Sequence, residues 1–265
     1  MRRFWSTFVC WGVLGWALIG AASGKVLAAQ GPGPIRDGVP VPAAAQHLFA
    51  LANQARAAAG VGPLSWDEGL AAAALQHCEL MAAEGPIGHR YNGEPDLQVR
   101  AGNAGAHFSL IEENVAFASY VESIHRGWLE SAGHRANLLN AEIDSVGIAV
   151  VSGNGAFYAV ADYARAVPVL SVEQIEAVVA GLIRPSGLSI AGDPADARGY
   201  CATGASENGR AAFLMVWEGS DISALPQNLA ARVASGSFRT AVVGACAPRG
   251  ADSGFTLYRV AVILY

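Results

Sequence analysis

The stretch ENVAFASYVESIHRGWLESAGHRANLLN, residues 113–140, decides how this chain is read, because it sets a carboxylate, Glu113, and a histidine, His134, at opposite ends of one predicted helix. Asn114-Val115-Ala116 predicts a loop, and the amphipathic run after it carries Ile124 and Trp128, four residues apart, to one helix face. Ser131-Ala132-Gly133 breaks that helix just before His134. Trp128 belongs to the core in this reading, since its helix must bury one face.

Working outward, the N-terminus differs from the rest of the chain. Arg2 and Arg3 precede an apolar run over residues 4–22, followed by small residues ending in Ala28-Ala29. That pattern is a secretory signal over residues 1–29, cleaved near Ala28 or Ala29; the alternative is an uncleaved anchor, because the run approaches spanning length. Removing it takes away Arg2, Arg3 and Lys25, so the formal charge goes from −5 to −8. Lys25 is the only lysine of the chain, which excludes lysine Schiff-base chemistry from the mature protein, and the acidic balance argues against nucleic acid as a partner. No later run is long and apolar enough to span a membrane.

Cys78, Cys201 and Cys246 remain after export, enough for one disulfide and one free thiol in an oxidising compartment. Cys201 and Cys246 flank predicted strands and are the expected pair. Cys78, in an alanine-rich helical run, reads as a small buried hydrophobe.

A Pro/Gly-rich leader over residues 30–42 gives way to a helix over 43–59, with Leu48, Leu51, Ala52 and Ala55 at helical spacing. A second helix follows Asp67, a predicted cap, and ends at Gly85-Pro86. Residues 86–112 read as irregular. Two strands, 146–151 and 157–164, flank the hairpin signal Ser152-Gly153-Asn154-Gly155. Beyond Pro168, a serine-capped helix from Ser171, a strand at 212–217, a helix after Pro226 and strands at 239–247 and 255–265 predict a small α+β unit.

All six histidines lie between residues 43 and 166. His47, His77 and His125 fall on predicted helices with no motif around them. His89, Glu113 and His134 instead sit at turns or element ends. Two imidazoles and a carboxylate brought together can hold a divalent ion with a position open for water, or exchange protons near neutral pH.

Leu51-Ala52-Asn53-Gln54-Ala55-Arg56, Gly60-Val61-Gly62-Pro63 and Leu64-Ser65-Trp66-Asp67 resemble the opening of the CAP superfamily (cysteine-rich secretory, antigen 5 and pathogenesis-related proteins), in its bacterial, secreted branch. Gly88-His89, Glu113-Asn114-Val115-Ala116, and Trp128 with Ser131-Ala132-Gly133-His134-Arg135-Ala136-Asn137-Leu138-Leu139 carry the likeness onward, over residues 43–166 in all. The resemblance implies an α+β fold: an α-β-α sandwich with a central antiparallel sheet, followed here by a small α+β accessory domain over 170–265. It also implies a cleft lined by His89, Glu113, His134 and a second acid. Many relatives place that acid three residues after the helix tryptophan, where this chain has Ser131; Glu130, one step earlier, is the candidate, rotated by roughly 100° around the helix.

Three functions stay open on these grounds. One is an exported binding module whose cleft takes a divalent ion such as zinc at His89 and His134, together with an extracellular or cell-envelope ligand. Another is a hydrolase of peptide or peptidoglycan bonds with Glu113 as acid or base and His89, His134 and Glu130 around it. The last is a structural envelope protein with a vestigial cleft. Oligomeric state is not encoded in any motif.

Overall fold

The computed structural model describes residues 38–205, 211–249 and 254–265. The expected signal segment and the leader up to residue 37 lie outside the described residues. The end of that leader is built into the fold: β1 (Val39–Pro40) precedes α1 (Pro42–Ala58), whose first turn accommodates proline because its N–H would have no helical partner. β2 (Ser65–Trp66) leads into α2 (Glu68–Glu84), capped by the Asp67 carboxylate accepting from Leu70 N–H at 2.8 Å.

Two elements occupy the region that reads as irregular in sequence. α3 (Leu97–Asn103) is followed by β3 (Phe108–Ala118), so Glu113 and Asn114 sit in mid-strand rather than in a loop. The period-2 signal is masked because β3 is covered by helices on both faces and carries Glu112, Glu113 and Asn114 inward for the site. α4 (Val121–Glu130) ends at Ser131, whose extended backbone makes the predicted break, and α5 (Ala132–Leu138) starts at once, so His134 lies inside a second short helix. β4 (Ser145–Gly153) and β5 (Ala156–Ala166) form the predicted hairpin, turning on Asn154 and Gly155, both at positive φ.

The first sheet runs β1-β4-β5-β3, with β2 parallel to the start of β4 and the remaining pairs antiparallel. Alternation along each strand divides its side chains between two apolar layers. Ile148, Val150, Ala161 and Tyr163 pack against Leu48, Ile124, Trp128 and Leu138 from α1, α4 and α5. On the opposite face, Ala149, Val151, Val115 and Val160 meet Ala74, Cys78 and Met81 of α2. This is the expected α-β-α sandwich, with Trp128 fully in its core.

A second sheet follows. α6 (Val172–Ile183) opens with a capping box between Ser171 and Gln174, then come β6 (Ser189–Ile190), α7 (Ala195–Thr203), β7 (Phe213–Gly219), α8 (Gln227–Ala234), β8 (Thr240–Cys246) and β9 (Tyr258–Leu264). The order is β6-β8-β9-β7, with only β6–β8 parallel. α6 and α8 bury Val179, Ile183, Leu229 and Val233 on one face, and α7 lays Ala197 and Cys201 on the other. The Cys201–Cys246 disulfide joins α7 to the end of β8, as the sequence predicts. Among the described residues no helix is long and apolar enough to cross a membrane.

Candidate functional site

β3 sends consecutive side chains to opposite layers, and the site is built on that alternation. Asn114 turns toward α5: its amide donates to the His134 carbonyl at 2.9 Å, while Asn137 donates to Asn114 Oδ1 at 3.0 Å and to the Glu113 carbonyl at 3.2 Å. Arg56, buried, donates to the carbonyls of Leu138, Asn140, Ile143 and Gly62, tying α1 to the segment after α5. These bonds fix the helix that carries His134. Arg135 donates to the Leu129 carbonyl at 2.9 Å.

Glu113 turns the other way, under α2, and is 7% exposed. Its Oε1 meets His89 Nδ1 at 2.8 Å; its Oε2 is bonded by an Arg100 amino group and lies 3.9 Å from His77 Nε2. Arg100 and His77 are joined in turn by Glu94, whose Oε1 is 3.3 Å from Arg100 Nη1 and 2.7 Å from His77 Nδ1, and whose Oε2 accepts from Tyr91 N–H at 2.9 Å. His77, read in sequence as a bystander, is therefore a fully buried member of the network.

Proton positions follow from the partners. His77 Nδ1 faces a carboxylate and Nε2 faces the Gly88 carbonyl at 2.8 Å, so both ring nitrogens donate and the ring carries a positive charge. His77 and Arg100 then balance Glu94 and Glu113. That leaves Asp162, directly opposite Glu113 on β5 and with no exposed surface. Neither of its oxygens accepts a hydrogen bond, as an ionised carboxylate in that position would require. Burial, and after it the adjacent Glu113 charge, push Asp162 well above the usual carboxylate range, so the group holds its proton.

Glu130 does not join this set: it is exposed at the last position of α4 and has no contact with Glu113 or His89. The helix register that separates it from Ser131 turns it outward. Glu112 points to the α5 layer and lies 3.3 Å from the Asn140 amide. His134 is half-buried. Burial lowers its affinity for a proton, and His89 lowers it further, which leaves His134 neutral near pH 7.

His89 is the exposed member of the network. Its side chain is 54% exposed, and donation from Nδ1 to Glu113 leaves the Nε2 lone pair facing outward. The Glu113–His89 arrangement is the one that orients an imidazole for a cation or for a proton. Among the described residues no three His, Cys, Asp or Glu side chains converge as a metal centre.

Asp162, Glu94, Arg100 and His77 were not legible as site residues. Only Asp162 left a trace, as a single carboxylate inside the apolar run FYAVADYA, where a charge needs a reason.

Residues 49–163 match the family described as CAP, cysteine-rich secretory protein family. A curated relative, the uncharacterized membrane protein YlbC of Bacillus subtilis (strain 168), is 31% identical over 107 residues, 40% of this chain and 31% of that protein. An extracellular protein containing an SCP domain from Bacillus anthracis str. Ames is 29% identical over 47% of this chain and 41% of its own, with a TM-score of 0.43. The cysteine-rich secretory protein SAV1118 of Staphylococcus aureus is 22% identical over 47% of this chain and 39% of its own, with a TM-score of 0.38. The chain spans about a third of the length of the curated relative. The sandwich and the motifs it brings together lie in the matched segment, so residues 49–163 are similar to the cysteine-rich secretory protein (CAP) family in sequence pattern.

Proposed function

We propose that this is an exported ligand-binding protein of the cell envelope or its surroundings, whose first unit takes a divalent ion such as zinc at His89 and His134. The observation that carries this reading is the 2.8 Å bond between His89 Nδ1 and Glu113 Oε1, which commits one ring nitrogen and presents the other. The buried Arg100, His77 and Glu94 hold Glu113 in place, so the imidazole is aimed before any ligand arrives. A bound zinc ion would supply a Lewis acid able to polarise a carbonyl or a water molecule. Export through the segment at residues 1–29 is supported by the Cys201–Cys246 disulfide, which suits an oxidising compartment.

Calorimetric titration of the purified protein with zinc tests this. His89→Ala and His134→Ala should each weaken binding at least about 10-fold. Absence of binding at micromolar zinc, or binding by both variants as tight as by the parent protein, overturns it.

A second reading, a hydrolase of peptide or peptidoglycan bonds, is favoured by the same outward Nε2 acting as base. Glu113 has both oxygens engaged and is nearly buried, so in that reading it acts through His89 and not on substrate. Release of soluble fragments from purified cell wall, lost in His89→Ala, would establish it.

A further inference from the structure

The second unit reaches back onto the helix that holds Arg100. Between β8 and β9, Thr256 N–H donates to the Phe108 carbonyl at 2.9 Å, the Thr256 hydroxyl lies 3.2 Å from His107 Nδ1, and the Phe255 ring meets Phe108 edge-on at 5.4 Å. Gly254 then touches α3 itself. A Cβ on Gly254 would lie 2.1 Å from the Gln98 carbonyl oxygen and 3.0 Å from Val99 N, and one on Gly102 would lie 2.9 Å from Gly254 Cα. Gly254 is also at φ +80, a conformation that L side chains rarely adopt. The two backbones are in contact at positions where neither tolerates a side chain.

α3 is seven residues long, and no side-chain hydrogen bond caps its start. Helices this short are not stable by themselves, so tertiary contacts set where α3 lies. Gln98, Val99 and Gly102, which meet Gly254, share one face; Arg100 projects about 150° away from that face, at 100° per residue. Arg100 pairs there with Glu94 and Glu113. The short helix is thus held between a segment of the second unit and the buried ion pairs of the first.

We propose that Gly254 and the segment through Thr256 are a positioning element for Arg100, through which the second unit sets the geometry of Glu113 and His89. This rests on the reading of the Glu113–His89 pair as the functional centre, but not on any ligand. The last hundred residues then have a role in the cleft without contributing a residue to it.

The experiment uses the whole protein and needs neither zinc nor substrate. In Gly254→Val, amide hydrogen exchange over residues 97–104 should speed up by about 10-fold or more, with protection of the α1 and α4 amides unchanged. The side-chain NMR signals of His77 and His89 should move in the same variant. Arg100→Lys should move those two signals without accelerating exchange at residues 254–257. The double variant should displace them no further than Arg100→Lys alone, because the two changes act along one line. Phe255→Ala, which removes a contact without adding a clash, repeats the test if Gly254→Val does not fold. Release of residues 254–257 with unchanged exchange over 97–104, or additive shifts at His89 in the double variant, overturns the proposal. Zinc titration of the same variants then reports separately on the proposed function.

Discussion

Glu113 on β3 and Asp162 on β5 are direct cross-strand partners on the face covered by α2, and Asp162 there is wholly out of solvent. Two carboxyl groups so placed cannot both be ionised at low cost. Asp162 is the member that holds a proton, and Glu113, stabilised by Arg100 and His89, is the member that carries the charge.

The pH dependence of stability tests that assignment. Asp162 holds its proton more tightly folded than unfolded, so the native state binds more protons from the unfolded carboxyl value of about 3.9 upward. Its contribution is complete below that pH and is lost as pH rises toward the folded value. Asparagine at this position has no proton to lose. Asp162→Asn should therefore gain on the parent protein as pH climbs from about 4 to about 7 in urea denaturation. Parallel pH curves for the parent and Asp162→Asn would mean that Asp162 is not the protonated partner.

Arg100 should be the costliest single loss in the network. It is buried and pairs with both Glu94 and Glu113, so Arg100→Leu leaves two buried carboxylates with His77 as their only close cation. Breaking a buried ion pair from one side typically costs about 3–5 kcal/mol. The midpoint of chemical denaturation measures it. A loss under about 1 kcal/mol, the value of a solvated surface pair, would contradict the buried geometry.

What the sequence disclosed and what it hid divide along a physical line. Residues whose role is local could be read: the Asp67 and Ser171 caps, the Asn154-Gly155 turn, the spacing of Ile124 and Trp128, and the helix break before His134. His89 and Glu113 were legible through the motifs around them, and their contact is present. Asp162, Glu94 and Arg100 were not, because their roles come from strand register and from a loop returning to α2, at separations that leave no periodic signal. Glu130 stands exposed and apart from the Glu113 network for the related reason that a one-residue step on a helix changes the face a side chain occupies. α7 escaped notice because it buries little beyond Ala197 and Cys201, too few positions to make a stripe.

The cysteines should separate by chemistry. Burial pushes the Cys78 thiol up to about 12, and its sulfur lies against the Tyr158 carbonyl at 3.1 Å, so it stays a protonated, enclosed thiol. Iodoacetamide at a pH of about 8 should label Cys78 only after denaturation, since the thiolate is the nucleophile. Peptide mass spectrometry detects the difference, and labelling of the folded protein would contradict the burial. Replacing Cys201 and Cys246 together by alanine opens a loop closed over a sequence separation of 45 and should cost the second unit about 2–4 kcal/mol.

The histidines supply the acid limb of the stability curve. Burial lowers the proton affinity of His125, helped by His47, and lowers that of His134, helped by His89. Folded, both stay neutral at pH values where the unfolded chain, with histidine near about 6.5, already binds protons. The unfolded state then holds more protons, so stability falls as pH drops below about 6.5 and levels off once the folded rings protonate too. This slope is opposite in sign to that from Asp162. A His125→Phe, His134→Gln double variant should flatten the fall between pH of about 6.5 and about 5, while the rise in relative stability of Asp162→Asn toward neutral pH persists when that change is added. Urea midpoints of the four proteins across that range measure both slopes. An acid limb unchanged in the double variant would place its origin in the carboxylates instead.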